Sequence, residues 1–367
     1  MSRRLRIAIA SPGIGLVQRG FERLMRDLFE AMRGEFDVTL FKGGGAPLTD
    51  ELVLRFLPRN GRVVKLLPLH RLAGRTAMHT ECLTFALAML PHLRRGAYDV
   101  VHVIDPPLAR ILYHLRAKLG LRFKLLYTEG TAMPPGDYPP ADHIHQIAAT
   151  TLADAARIHE RERMTLIPCG IYPDRFAVSE TRAALRRRHG VAEDRFVIMA
   201  VSAINRGHKR THHLIEEVAG MPGRPLLWLD GSLDHGDPEL LDMARARLGD
   251  NVRISHVPSD RVGELYRLAD VMPHAATFEA FGLAMVEAAA TGLPVIAHDA
   301  PHFQWLLPNP HCHVDMTQPG LLRSKLEMLS ADRTMLDFLR MPAAIRELYA
   351  WPRLVPAYAA LYRRLVA

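Results

Sequence analysis

Residues 278–299, FEAFGLAMVEAAATGLPVIAHD, predict a loop, a helix and a buried strand in succession. The helix is rich in Ala, Leu, Met and Val; it begins near Phe281-Gly282-Leu283 and stops at Gly292, a typical C-cap residue. The apolar residues 294–297 then indicate a buried strand. Because a helix N-terminus gathers backbone N–H groups and a positive dipole, this stretch predicts an anion site.

Two carboxylates, Glu279 and Glu287, stand eight residues apart around the predicted start of this helix. An ionised carboxylate only accepts hydrogen bonds, and a sugar offers several hydroxyl donors. Spacing of this kind also occurs on solvated helix faces, so the pair is informative only with the rest of the stretch. A phosphate site beside a hydroxyl site is typical of a protein that binds a nucleotide sugar.

The whole stretch resembles the donor-binding segment of retaining GT-B glycosyltransferases of family 4. That segment typically reads P-S-x-x-E-G-F-G-L-x-x-x-E-A-x-A-x-G-x-P-V-x-A. This chain departs from it at Ala280, where Gly is usual, and at His274-Ala275, which replaces Pro-Ser. The resemblance implies that Glu279 holds hydroxyls of the transferred sugar and that Glu287 holds the ribose hydroxyls. It assigns the diphosphate to backbone N–H groups of three residues, Phe281, Gly282 and Leu283.

Lys209 follows a predicted strand at residues 196–201 and matches a lysine that relatives carry in the pattern G-R-x(4–5)-K-G. Negative charge grows on a diphosphate leaving group as the glycosidic bond breaks, so a cation is needed there. The family arginine falls at Ala203 or Ile204. We therefore expect Arg206 to assist Lys209, with Arg210 as a further candidate or an ordinary loop cation.

A glycine-bearing loop follows the first predicted strand, and it includes Gly15 and Gly20. It resembles the family loop G-G-x-E-R, here residues 19–23 with Arg19 in place of the first glycine, and the resemblance implies contact with the donor phosphate and the acceptor. A purely structural strand-to-helix turn is the alternative. Glu22 in this loop would then be only a helix N-terminal charge.

Glu129 ends another predicted strand, at the position where relatives usually carry a histidine near the reacting carbon. A carboxylate can bind sugar hydroxyls or take a proton, but it cannot donate as an imidazole does. We predict a catalytic role for Glu129. The alternative is a surface loop residue.

Strand and helix patterns alternate along the chain, which predicts an α/β protein with parallel sheets. The resemblance implies a GT-B fold with two Rossmann-like domains facing across a cleft and a C-terminal helix crossing back to the first domain. The expected division is an acceptor-binding domain at 1–170, a nucleotide-sugar-binding domain at 171–348 and the final helix at 349–367. Predicted strands of the first domain lie at residues 5–11, 38–41, 63–67, 100–104, 124–128 and 143–148. Those of the second lie at residues 196–201, 225–230, 251–256, 271–274 and 294–298.

The amino-acid composition indicates the class of protein and the kinds of site that the chain can contain. The chain has 367 residues, 49% hydrophobic and 23% charged, which is typical of a globular protein with two domains. The three cysteines have no metal or redox spacing, so we expect buried thiols in a reducing cytoplasm. The 19 histidines lack a clustered ligand set, so we predict no metal site, and His102 reads as a satisfied interior residue. No apolar stretch approaches the ~20 residues of a membrane span.

A basic segment contains Arg55, Arg59, Arg62, Lys65, Arg71 and Arg75 without one acidic residue between Glu51 and Glu81. It predicts either a solvated face or peripheral contact with an anionic membrane or a phosphorylated acceptor. The net charge of +8 comes without a recognised nucleic-acid module, so nucleic acid is not an expected partner.

The predicted activity is transfer of a sugar from a nucleotide diphosphate sugar to a hydroxyl acceptor with retention of configuration. We expect a UDP-sugar rather than a GDP-sugar as co-substrate, no other cofactor, and a glycan, glycolipid or small molecule as acceptor. A catalytically silent sugar-nucleotide-binding protein and a GT-B phosphorylase remain open. A NAD-dependent oxidoreductase is disfavoured because the fingerprint G-x-G-x-x-G is absent.

Overall fold

The computed structural model describes residues 3–17, 19–66, 76–233 and 237–367. The chain divides into two compact units. Unit 1 comprises Met1–Gly170 and Trp351–Ala367, and unit 2 comprises Ile171–Ala350.

The strands of the described residues are numbered in chain order. They are β1 (Arg6–Ser11), β2 (Asp37–Lys42), β3 (Glu51–Val53), β4 (Val100–Val103), β5 (Lys124–Glu129), β6 (His143–Gln146), β7 (Met164–Leu166), β8 (Val197–Val201), β9 (Leu226–Asp230), β10 (Val252–Ser255), β11 (Met272–Pro273), β12 (Val295–His298) and β13 (His313–Val314).

The helices of the described residues are numbered in the same way. They are α1 (Gly20–Met32), α2 (Arg62–Leu66), α3 (Ala77–Gly96), α4 (Pro106–Leu119), α5 (Ala149–Ala155), α6 (Arg182–Arg188), α7 (Thr211–Ala219), α8 (Pro238–Leu248), α9 (Val262–Leu268), α10 (Leu283–Ala290), α11 (Pro301–Leu306), α12 (Leu321–Ala331), α13 (Pro342–Tyr349) and α14 (Trp351–Val366).

Unit 1 is built on a seven-stranded parallel sheet in the order β3-β2-β1-β4-β5-β6-β7. Strands β2 and β3 lie on one side of β1, and strands β4 to β7 lie on the other. The strand order therefore reverses between β1 and β4. Ligands of open α/β sheets bind at the carboxyl ends of strands where the order reverses in this way. Strands β1, β4 and β5 are almost wholly buried, since helices cover both faces of a parallel sheet.

Unit 2 contains two three-stranded parallel sheets, β10-β9-β8 and β11-β12-β13. A parallel bridge between Ile198 and Val271 joins them, and the Met199 N–H donates to the Val271 carbonyl at 2.9 Å. The strands thus run in the order β10-β9-β8-β11-β12-β13, which reverses between β8 and β11. This reversal is the place where a doubly wound sheet offers a ligand site.

Helix α14 belongs to unit 1, where it packs against α1 and β4. Its periodic face buries Trp351, Leu354, Tyr358, Leu361 and Tyr362, as the helical spacing of these apolar residues predicts. Gly170 lies so close to the Trp351 ring that a Cβ there would be 2.4 Å from it.

The predicted strand at residues 63–67 is wrong for the residues that the structure describes, because Arg62–Leu66 forms the short helix α2. Val63 is 52% exposed and only Val64 of this pair is buried, so the apolar run does not enter the sheet. Instead β3 pairs with β2 at the edge. The other predicted strands are confirmed to within a few residues. Strands β3, β7 and β13, which were not predicted, add short edges to the two units.

Candidate functional site

The carboxyl ends of β8 and β11 form the centre of the candidate site in unit 2. The loop after β8 leads to α7, and the loop after β11 leads to α10. A small cavity lies between these loops at the reversal of strand order. It is lined by Ala200, Ser202, Ile204, Lys209, Thr211, Leu214, Leu229, Pro273, His274 and Ala275.

Asn205 orders the loop that carries Lys209. Its side-chain Oδ1 accepts the Lys209 backbone N–H at 2.9 Å, and its carbonyl accepts the Thr211 N–H at 3.0 Å. Arg210 then takes a left-handed backbone with φ 49° and donates to the carbonyls of Ala275, at 3.3 Å, and Met316, at 2.8 Å. The Arg210 guanidinium therefore supports the loop, and the Lys209 side chain is the cation that lines the cavity.

Glu279 receives two donors on one oxygen. The His274 Nε2 lies 2.6 Å from Glu279 Oε1, and the Lys209 ammonium donates to the same atom. The second oxygen, Oε2, lies 3.5 Å from the His208 Nε2. The side chains of Glu279 and His274 are each 7% exposed, so the contact between them is largely shielded from water.

The environment keeps Glu279 ionised. Burial alone would raise the pKa of this carboxyl group, since desolvation disfavours the charged form. The hydrogen bond from His274 and the positive charge of Lys209 outweigh burial and hold the pKa well below its usual range. Glu279 can therefore accept hydrogen bonds from ligand hydroxyls at any physiological pH.

Helix α10 begins next to this carboxylate. Gly282 precedes the helix with φ 107°, a backbone conformation that suits glycine. The Phe281 ring is buried edge-on against Trp305 and Tyr349, and the Phe281 carbonyl lies 2.9 Å from the His302 Nε2. Within the described residues, the backbone N–H groups of Phe281 and Gly282 donate to no other group. The first turn, from Leu283, carries no acidic residue, so its positive end is uncompensated.

Glu287 lies one turn further along α10 and is 5% exposed. The Tyr266 hydroxyl donates to its Oε2 at 3.3 Å. Its predicted contact with ribose hydroxyls stays a prediction.

Arg206 lies apart from this group of residues. Its guanidinium is exposed and pairs with Asp237 Oδ2 at 2.9 Å, at the start of α8. The structure thus brings Lys209 and Glu279 together, as the sequence predicted for a common site, but directs Arg206 elsewhere. Its role beside the diphosphate stays a prediction.

The predicted glycines of unit 1 lie after β1. Gly15 has φ 83°, and a Cβ there would be 2.1 Å from the Gly44 carbonyl, so this glycine is required for the approach of two loops. Gly20 is the exposed first residue of α1. Glu22 in the first turn is buried and paired with Arg19, which is more than an exposed helix charge.

Glu129 is 1% exposed, so the alternative of a surface loop residue is wrong. Its Oε1 accepts the Thr131 N–H at 2.6 Å, the Thr131 hydroxyl at 2.9 Å and the Met133 N–H at 3.3 Å. The Tyr127 hydroxyl donates to Oε2 at 2.7 Å. These bonds fold the loop after β5 around the carboxylate, and a catalytic role for Glu129 stays a prediction.

Two residues of interest were not assigned a role from the sequence. In the sequence, His274 is marked only by standing where the family pattern has Pro. Its contact with Glu279 depends on the fold and could not be predicted from spacing. Asp105, after β4 at the reversal of strand order in unit 1, is 8% exposed, and its Oδ2 has no hydrogen-bond partner in the described part of the chain. Burial above all, and then nearby Glu22, raises the pKa of Asp105 to about 6.

The cysteines take interior positions. All three cysteines are buried and unpaired, as predicted. Over the ranges that the structure describes, no three His, Cys, Asp or Glu side chains form a group suited to a metal ion. In those same ranges, no helix has the length and apolar character needed to cross a membrane.

Comparison with known proteins finds a family match within the second unit. Residues 181–310 match the model of the glycosyl transferases group 1. This match contains Lys209, Glu279, α10 and Glu287, which are the elements of the candidate site.

The curated relatives that match this chain have names that describe glycosyltransferases. The chain is 27% identical over 209 residues to the lipopolysaccharide glucosyltransferase WaaG of Escherichia coli (strain K12), which covers 53% of this chain and 54% of WaaG. It is 28% identical over 216 residues to a D-inositol 3-phosphate glycosyltransferase of Streptomyces bingchenggensis, covering 55% of this chain and 48% of the relative. The chain thus spans about half the length of these curated relatives.

Solved structures share the fold over nearly the whole chain. A sucrose-phosphate synthase from Thermosynechococcus elongatus matches with a TM-score of 0.79 and 20% identity, covering 99% of both chains. The HepE protein of Anabaena, solved with UDP and glucose, matches with a TM-score of 0.76 and 15% identity over 98% of this chain and all of HepE. WaaG matches with a TM-score of 0.72 and 18% identity, over 97% of this chain and 99% of that one. The chain has the GT-B fold, and residues 181–310 of its second unit match the glycosyl transferases group 1 family.

Proposed function

We propose that this protein transfers a sugar from a nucleotide diphosphate sugar to a hydroxyl acceptor with retention of anomeric configuration. The observation that carries the proposal is the group formed by Glu279, Lys209 and His274 at the reversal of strand order in unit 2. A buried ionised carboxylate, a cation and an open helix N-terminus lie together there. This combination suits a ligand that presents hydroxyl groups next to a diphosphate.

Each proposed role follows from charge and hydrogen-bonding capacity. Lys209, assisted by Arg206, balances the diphosphate together with the N–H groups of Phe281, Gly282 and Leu283. Glu279 accepts hydroxyls of the transferred sugar, and Glu287 accepts the ribose hydroxyls. The shared bond of Lys209 and Glu279 supports a single site for diphosphate and sugar.

In the proposed reaction the bond between the sugar C1 and the diphosphate oxygen breaks, and its electron pair stays on that oxygen. The acceptor hydroxyl forms the new bond to C1 on the same face. Its proton passes to the leaving phosphate oxygen, so no dedicated protein base is required. The cation and the helix N-terminus stabilise the charge that grows on the leaving group.

A UDP-sugar is the proposed donor, since HepE of the same fold was solved with UDP-glucose. The proposed division of labour gives donor binding to residues 171–348 and acceptor binding to residues 1–170, with 349–367 packing on the latter. The acceptor is a glycan, a glycolipid or a small molecule that carries a hydroxyl group.

We also propose a cytoplasmic reaction, which the unpaired buried thiols favour. Peripheral contact with an anionic membrane through the basic segment is a further proposal. Arg59 of that segment pairs with Glu81 at 2.8 Å, while Arg71, Arg75 and the side chain of Lys65 lie outside the described residues.

Donor binding is tested by thermal shift and calorimetry with UDP, GDP, ADP and dTDP. A ligand that binds only the folded state raises the melting temperature, and we expect UDP to do so most. Glu287→Ala should raise the UDP dissociation constant about tenfold, because the ribose hydroxyls lose a charged partner. The matched control is Glu162→Ala, which removes an exposed glutamate of unit 1. If none of the four nucleotides binds, or if both variants bind UDP equally well, the proposed donor site is wrong.

A further inference from the structure

Two negatively charged groups compete for the Lys209 ammonium, the Glu279 carboxylate and the diphosphate of the proposed donor. In the structure it donates to Glu279 Oε1, whereas the proposed reaction requires it beside the donor diphosphate. A salt bridge to a buried carboxylate is not easily released, since breaking it leaves an uncompensated buried charge. The Glu279 side chain is only 7% exposed, so little solvent reaches it to compensate for loss of the lysine. A second partner for Glu279 is therefore needed if Lys209 is to turn toward a diphosphate.

His274 is that second partner. Its Nε2 lies 2.6 Å from the same oxygen that Lys209 contacts. The His274 backbone is fixed at the end of β11, where its N–H donates to the Ile296 carbonyl at 2.7 Å. Lys209, in contrast, reaches Glu279 from a loop and through a flexible side chain that is 18% exposed. The histidine can thus stay in place while the lysine moves.

We propose that His274 is a positioning residue that holds the Glu279 carboxylate in place when Lys209 leaves it for the donor diphosphate. This inference rests on the proposed function. With Oε1 held by His274, Oε2 is the oxygen that faces a sugar hydroxyl. The half-exposed His208 lies 3.5 Å from Oε2 and stacks on Phe278 with ring centroids 4.5 Å apart.

The other titratable neighbour of this group is His302, on α11. Its Nε2 is engaged by the Phe281 carbonyl at 2.9 Å, so it supports the start of α10 and does not contact Glu279 through that nitrogen. Lys209, His208 and His274 thus lie against the Glu279 carboxylate, and His274 is the one whose backbone is hydrogen-bonded to the sheet.

The test is a double-mutant cycle on UDP affinity, measured by calorimetry at constant pH and salt. UDP carries the diphosphate but not the transferred sugar, so direct contacts of Glu279 with that sugar do not contribute. In His274→Ala, Lys209 is the main partner left to Glu279. Because the lysine then stays with Glu279 and not with the diphosphate, we expect UDP to bind about tenfold more weakly. In Glu279→Gln the lysine is free, and UDP affinity should stay within about twofold of wild type although transfer is lost. In the double variant, affinity should equal that of Glu279→Gln.

His274→Gln provides the conservative control, because its amide N–H can still donate to Glu279 and should restore most of the affinity. Thermal melting confirms that each variant is folded. Unchanged UDP affinity in His274→Ala, or an equal loss with and without Glu279, would overturn the role of His274. If wild type binds UDP poorly but another of GDP, ADP or dTDP well, the cycle uses that nucleotide. Failure of wild type to bind any of them refutes the proposed function itself.

Discussion

Glu129 shows how a single buried carboxylate can organise a loop. Four donors from Tyr127, Thr131 and Met133 converge on its two oxygens, which have little contact with water. A carboxylate is suited to this position because it only accepts hydrogen bonds. An imidazole, which the family pattern predicts at this position, could not accept from all four donors at once.

Glu129→Gln should therefore destabilise the protein. The amide NH₂ group replaces one acceptor with a donor, and a backbone N–H or the Tyr127 hydroxyl loses its partner. We expect the free energy of unfolding to fall by about 1–3 kcal/mol, measured by urea denaturation. Sugar transfer should fall while UDP affinity is retained, if the loop also contacts the transferred sugar. Glu162→Gln, at an exposed position, should change neither quantity. Equal stability of the two variants would mean that the bonds of Glu129 are not formed in solution.

The residues of the candidate site were predictable where they belong to one local pattern. Glu279, Gly282 and Glu287 lie within a single loop and helix, so sequence spacing alone brings them together. The bond of Lys209 to Glu279 joins positions 70 residues apart and needs the pairing of β8 with β11. His274 was not predicted as a partner of Glu279 because no local pattern relates its ring to that carboxylate.

A chain of buried hydrogen bonds connects four elements of unit 1. It runs from the Tyr362 hydroxyl to His102 Nδ1 at 2.8 Å, and from His102 Nε2 to the Thr128 hydroxyl at 2.6 Å. The Thr128 hydroxyl lies 2.8 Å from His145 Nδ1, and His145 Nε2 lies 2.7 Å from the Ile167 carbonyl. Since the final carbonyl only accepts, neutral histidines in this chain carry the proton on Nε2 and all donors point one way.

Protonation of this chain should destabilise unit 1. Burial lowers the pKa of His145 to about 4, and it lowers the pKa of His102 well below its ordinary value. An unfolded histidine titrates near 6.5, so the unfolded state binds more protons below that pH. Stability from these groups is complete above about pH 6.5 and is lost as the pH falls toward 4. His145 alone accounts for about 2 kcal/mol at pH 5.

His145→Gln should reduce the loss of stability between pH 7.5 and pH 5 by about 2 kcal/mol, because the amide has no proton to gain in this range. Urea denaturation at the two pH values measures the difference. The exposed His256→Gln should leave the loss unchanged. An identical loss in wild type and His145→Gln would show that His145 is not a buried neutral residue.

Elements with a strong apolar period were predictable, and short edge elements were not. The face of α14 and the central strands of both units follow directly from their apolar patterns. The segment Arg62–Leu66 has an equally apolar pattern but too few residues to distinguish a helix from a strand. Strand β13 has only two residues, and it exists because β12 offers it an open edge.

At the scale of the whole molecule, both units use the same arrangement of parallel strands. Each sheet reverses its strand order once, and each reversal carries buried polar side chains, Asp105 in unit 1 and His274 in unit 2. The alternation of strands and helices predicts this α/β class but not the strand order. The strand order depends on pairing between strands that are distant in sequence, and the local spacing of residues does not predict such pairing.

The most direct test of the proposed function is the release of UDP from UDP-sugars in the presence of a panel of hydroxyl acceptors. Wild type should release UDP with turnover, and Lys209→Ala should be about 100-fold slower or more, because the charge it balances grows in the transition state. Lys118→Ala, which removes an exposed lysine of unit 1, should match wild type. Binding of UDP-sugar by wild type without any release across the panel would contradict the account and identify a catalytically silent binding protein. Turnover of Lys209→Ala within about threefold of wild type would remove Lys209 from the proposed mechanism.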